Sequence, residues 1–102
     1  AKIETPNTYI IQLGFGPKVR SLMIMNELRL AGISIMQDLA NDSLSAQLRD
    51  AEARNMKHVI IIGQKEFVDG TVILRDMDAR KQEAIALDTL VKRLKRVQTV
   101  TV

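Results

Sequence analysis

Apolar positions along this chain fall into runs with two different periods. Thr8 to Leu13, Ile33 to Gln37 and His58 to Ile62 are short β-prone runs. Between the first two, apolar residues recur at Val19, Leu22, Met23, Met25, Leu28 and Leu30, the period of a helix. Pro17 suits the first helical position, where its missing N–H costs nothing, and Gly32 suits a left-handed end. Between the second and third runs, Asn41-Asp42-Ser43 is a cap cluster, and the helix after it carries Leu44, Leu48 and Ala51 on one face. Asn55 stands at its C-terminal cap, where Asn tolerates a left-handed backbone. Val59 to Ile62 is apolar on both faces, so it reads as a central strand covered by helices on each side. That run stops at Gly63, and a short charged connector leads to two further strands, Thr71 to Arg75 and Gln82 to Ala86. Met77-Asp78-Ala79-Arg80 reads as the hairpin turn between them, and Leu87-Asp88-Thr89 opens a last helix with Leu90, Val91 and Leu94 inward.

The order β-α-β-α-β-β-β-α predicts an α/β fold. The first three strands have helical crossovers and should be parallel; the last three have short connections and should run up and down. The expected architecture is a three-layer α/β/α domain: a mixed five-stranded sheet of order 2-1-3-4-5, strand 4 antiparallel, with three helices. Residues 1–7, with Thr5-Pro6-Asn7, read as a linker, residues 8–98 as the domain and residues 99–102 as a frayed end.

Composition changes this picture little. One hundred and two residues suffice for one core. The aromatics are Tyr9, Phe15 and Phe67 only, so aliphatic residues and methionine must fill that core. No Cys is present, which excludes disulfides and thiolate metal sites and fits a cytoplasmic setting. No apolar run approaches a membrane span, and no signal peptide is visible. The first residue is Ala rather than Met, as expected of a fragment of a longer chain. The net charge of +3 permits a polyanionic partner without demanding one. From Arg80 to Arg96 six basic residues face two acidic ones, either a solvated helix face or a phosphate grip.

Candidate chemistry is sparse. Leu13-Gly14-Phe15-Gly16-Pro17-Lys18 resembles a phosphate loop, but its spacing fits neither dinucleotide nor P-loop patterns. It reads better as a tight turn, from which Lys18 and Arg20 could touch a nucleic-acid phosphate. The lone His58 has no nucleophile or acid nearby in sequence that would make a triad. Glu66 and Arg75 flank the connector region; a modest twist could bring both to one edge of the sheet. There they would form either a surface ion pair or a base-reading pair, since a carboxylate accepts from base N–H groups and a guanidinium donates in a planar fork.

At these residues the chain resembles the C-terminal anticodon-binding domain of class II aminoacyl-tRNA synthetases. The likeness runs from about Thr8 to Leu94. It rests on L-R-x-x-G-I at Leu28 to Ile33, on Asp38, Leu39 and Asn41, and on the pair Gln47-Leu48. It continues through the strand ending in Gly at Ile60 to Gly63, G-x-x-E at Gly63 to Glu66, Gly70, and the Val72-to-Asp76 strand. The I-I-I-G-x-x-E segment, the Arg-Asp-Met after it and Gln82-Glu83 look histidyl, with a threonyl-type domain or a free-standing non-catalytic paralogue as alternatives.

The resemblance implies docking on a tRNA anticodon stem-loop, with base contacts from Asn41, Glu66 and Arg75, the positions matching base-contacting residues of threonyl relatives. It implies a histidine–tRNA ligase whose catalytic domain lies elsewhere in the parent chain and uses ATP and magnesium. No cofactor or metal belongs to this domain on that reading, and the parent enzyme would be a homodimer. Ser45 and Asn55 stand where relatives often carry Gly.

Overall fold

The computed structural model describes residues 7–40 and 43–99. The expected linker, apart from Asn7, and the expected frayed end, apart from Thr99, lie outside the described residues. Five strands form one sheet: β1 (Thr8–Gln12), β2 (Ile35–Gln37), β3 (His58–Ile62), β4 (Thr71–Asp76) and β5 (Lys81–Ala86). Their order is β2-β1-β3-β4-β5. β2 and β3 pair parallel with β1, while β4 is antiparallel to both β3 and β5. The expected α/β sheet is therefore the observed one. The helices are α1 (Phe15–Leu30), α2 (Leu44–Ala53), α3 (Gln64–Asp69) and α4 (Leu90–Thr99), the last entered through a 3-10 turn at Leu87–Thr89.

Alternation along the strands splits the core in two. Ile10, Ile60, Ile62, Val72, Leu74 and Ile85 face α1 and α4, meeting Ile24, Leu28, Leu90 and Leu94. Tyr9, Ile11, Val59 and Ile61 face the other way, toward Ala51 and Leu48 of α2. β1 and β3 are thus apolar on both sides, as a strand covered twice must be.

Three expectations are corrected. The connector 63–70 is not bare: it is the extra helix α3, started at Gly63 and stopped by Gly70 in the left-handed conformation (φ 72°). In α1 the buried stripe is Pro17, Ser21, Ile24 and Leu28. Val19, Leu22, Met23 and Leu30, all part of the apolar period, lie exposed. Leu28 of that period is buried and Met25 packs against the core, but the inner side also includes Ser21, whose hydroxyl donates to the Lys18 carbonyl (2.6 Å), so the apolar period alone does not mark the buried side. Helix α1 also begins at Phe15, two residues before Pro17.

The caps behave as the residue types require. Ser43 Oγ accepts from the Ala46 N–H at the start of α2. Asn55 (φ 56°) takes the left-handed position after it. In the β4–β5 hairpin, Asp76 Oδ1 accepts from the N–H groups of Asp78 and Ala79, both at 3.0 Å.

Candidate nucleic-acid interface

Arg75 lies on β4 between Val59 of β3 and Gln82 of β5. It shares the α2 side of the sheet with Ile73, but α2 packs over β1 and leaves this part of the sheet open. Gln82 and Ala84 beside it are exposed. The guanidinium donates through Nη1 to Gln82 Oε1 at 3.1 Å. Its Nε–H is buried and has no acceptor among the described residues. A guanidinium stiffened by a neighbouring amide at an open part of the sheet can offer its terminal N–H groups to a base edge or a phosphate oxygen.

Glu66 is in the first turn of α3, and its Oε1 accepts from the Gly63 N–H at 2.8 Å. One oxygen therefore caps the helix; Oε2 has no hydrogen-bond partner among the described residues. Contrary to expectation, Glu66 and Arg75 do not share an edge. Glu66 follows the C-terminal end of β3, whereas β4 runs antiparallel and carries Arg75 back beside Val59, near the start of β3. From Thr71 to Arg75 the strand advances roughly 14 Å. The two side chains form no ion pair and could serve only different parts of a ligand.

Asn41, the third expected base contact, lies outside the described residues. Lys18 is half-buried in the first turn of α1. Arg20 holds the fold together: Nη1 donates to the Phe67 carbonyl at 2.7 Å, and the guanidinium sits 4.6 Å from the centre of the Phe67 ring. It ties α1 to the end of α3. On α4, Arg93 pairs with Glu83 of β5, while Lys92 is exposed.

Several polar features escaped the sequence reading. Gln47 of α2 is fully buried: its Oε1 accepts from the Gln12 N–H at 3.4 Å and its Nε2 donates to the Gln12 carbonyl at 3.2 Å. Its carboxamide thus substitutes for a neighbouring strand where β2 has ended. Tyr9, also fully buried, donates its hydroxyl to Asp50 Oδ2 at 2.8 Å, and Arg54 Nε holds both oxygens of the same carboxylate. Burial and then this bond push the Tyr9 phenol well above its ordinary range. The Tyr9 bond, then Arg54, holds the Asp50 carboxyl below the usual range. Among the described residues no three His, Asp or Glu side chains come together in a way that could hold a metal ion.

A three-layer α/β module with an open sheet face and donor groups displayed on it is a recognition domain. The chain belongs to the anticodon-binding-domain family, whose model matches residues 9–97. Among its relatives is a histidine–tRNA ligase of Dehalococcoides mccartyi, 32% identical over 94 residues, covering 92% of this chain and 22% of that protein. The apo histidyl-tRNA synthetase of S. aureus superposes with a TM-score of 0.80 at 26% identity, over 88% of this chain and 26% of that one. The RNA-binding domain of threonyl-tRNA synthetase from Cryptosporidium parvum superposes at 0.81 with 20% identity, covering 89% of this chain and 23% of that one. The threonyl likeness shows the fold alone.

Proposed function

We propose that this domain reads the anticodon loop of a histidine tRNA as the recognition part of a histidine–tRNA ligase. Aminoacylation, with ATP and magnesium, belongs to a catalytic domain elsewhere in that parent protein, which on this reading acts as a cytoplasmic homodimer. The match to histidine–tRNA ligases is the support for the branch, and the chain spans only 22% of the length of such a relative.

The observation that carries the binding chemistry is Arg75. A buried Nε–H without an acceptor costs about 1–3 kcal/mol. A nucleotide docked on the open face of β4 and β5 meets the guanidinium at its terminal nitrogens, beside the Nη1 bond to Gln82, while Nε stays buried. Glu66 Oε2 at the other end of the sheet accepts from a different nucleotide, and Asn41 is assigned a third contact by its match to the family pattern. Lys18 is assigned a phosphate.

The test is a titration of the 102-residue chain with the stem-loop of histidine tRNA and with stem-loops of unrelated anticodon, at physiological salt. Preference for the histidine stem-loop by about tenfold or more, one to two base contacts' worth, is expected. Equal affinity for all stem-loops contradicts the assignment.

A further inference from the structure

The end of α2, the start of β3 and the β4–β5 hairpin enclose a hollow of about 290 Å³. Buried Met56 and half-buried Met77 line it from the core side. The Met77 N–H donates to the Lys57 carbonyl at 2.9 Å and so ties the hairpin to the chain entering β3. Two cations, Lys57 and Arg80, and two carboxylates, Glu52 and Asp78, complete the lining, and all four are exposed. Among the described residues none of these four side chains forms a hydrogen bond or an ion pair. Groups of both signs thus surround one hollow without pairing with each other.

Arg80 also holds an unusual backbone position. Its φ is 55°, in the left-handed region that glycine takes at less cost. What arginine brings to that turn is its guanidinium. The hollow lies beside Arg75: Met77 is two residues further along and packs on the same side of the sheet as Ile73, so the distance along the strand is roughly 7 Å. An RNA strand whose base meets Arg75 carries its backbone past this hollow. A bare phosphate would be attracted by Lys57 and Arg80 and repelled by Glu52 and Asp78. A ribose phosphate suits all four, because its hydroxyls donate to carboxylates while its phosphate accepts from cations.

We propose that the hollow between the end of α2 and the β4–β5 hairpin is a subsite for a ribose phosphate of the RNA backbone. Lys57 and Arg80 hold the phosphate; Glu52 and Asp78 accept from the 2′-hydroxyl, the group that separates RNA from DNA. The proposal rests on the anticodon-loop reading above but involves no base, so it contributes affinity and a preference for RNA rather than sequence.

The experiment titrates the 102-residue chain with the histidine anticodon stem-loop, with mismatched stem-loops, and with stem-loops carrying a 2′-deoxy sugar at each loop position in turn. Arg80→Gly should melt at or above the wild-type midpoint, because glycine relieves the backbone. It should nevertheless weaken cognate and mismatched stem-loops alike, by about tenfold, and lower the salt slope of binding by about one. Lys57→Ala, at an exposed position outside the turn, should do the same to binding. One 2′-deoxy replacement should weaken wild type several-fold and have no effect on Glu52→Gln/Asp78→Asn. If Arg80→Gly and Lys57→Ala bind with wild-type affinity and salt slope, or every 2′-deoxy replacement is neutral, the subsite is overturned, and the anticodon reading stands as long as Arg75→Ala still loses discrimination. If wild type binds all stem-loops equally while the Arg80, Lys57 and 2′-deoxy effects persist, the anticodon reading falls and the subsite stands. If wild type binds no stem-loop at all, both fall together.

Discussion

At the scale of single residues, the chain buries a few polar atoms without a hydrogen bond among the described residues: Gln12 Oε1, Gln37 Oε1 and Arg75 Nε. Tyr9 and Asp50 show the satisfied case: a buried hydroxyl finds a carboxylate that Arg54 also holds. Tyr9→Phe removes donor and bond together and should cost about 1 kcal/mol. Asp50→Ala leaves the phenol orphaned and should cost about 1–3 kcal/mol, both read as shifts in urea midpoint. Asp50 and Asp76 are held below the ordinary carboxyl range, Asp76 chiefly by the Ala79 N–H. Their stabilisation is complete above the unfolded carboxyl value of about 3.9 and is lost as pH falls through the lower folded values. The midpoint should stay flat from neutral pH down to about pH 5 and drop below about pH 4, less steeply in Asp50→Asn. Little of this was legible in the sequence. A Gln at a strand end or a Tyr in an apolar run looks the same whether its polar atoms are met or not.

Element by element, the strands were legible because alternation and double-sided burial leave a plain mark, and the end of α2 was legible through Asn55. Helix α3 was not, since six residues give less than two turns of periodicity and it is held by packing against β4 and α1. Gly16 permits that contact. A Cβ there would lie 2.8 Å from two atoms of the Phe67 ring, the ring over which Arg20 stacks. Gly16→Ala should therefore displace α3 and destabilise the domain by about 1–3 kcal/mol, measured by thermal or urea unfolding. Because Gly63 and Glu66 ride on α3, the same change should weaken RNA binding more than an exposed substitution such as Lys92→Ala. If Gly16→Ala unfolds at the wild-type midpoint, α1 and α3 are not so closely packed.

For the whole molecule, the topology and the family could be read from the sequence, while the spatial arrangement of the site came only with the structure. Glu66 and Arg75, nine residues apart, looked like one pair and are two separate positions, because antiparallel β4 reverses the direction of the chain between them. On the proposed reading, the sheet meets an anticodon loop at both ends rather than in a single pocket. The most direct test is a binding series on histidine stem-loops with each anticodon base changed in turn, comparing wild type with Arg75→Ala and Glu66→Gln. The second variant keeps a capping oxygen for Gly63 while removing the charge. Each variant should lose discrimination at one anticodon position, a different one for each, by about 1–3 kcal/mol, with circular dichroism unchanged. Discrimination that survives both substitutions at every position would contradict a sheet that reads the loop at both ends.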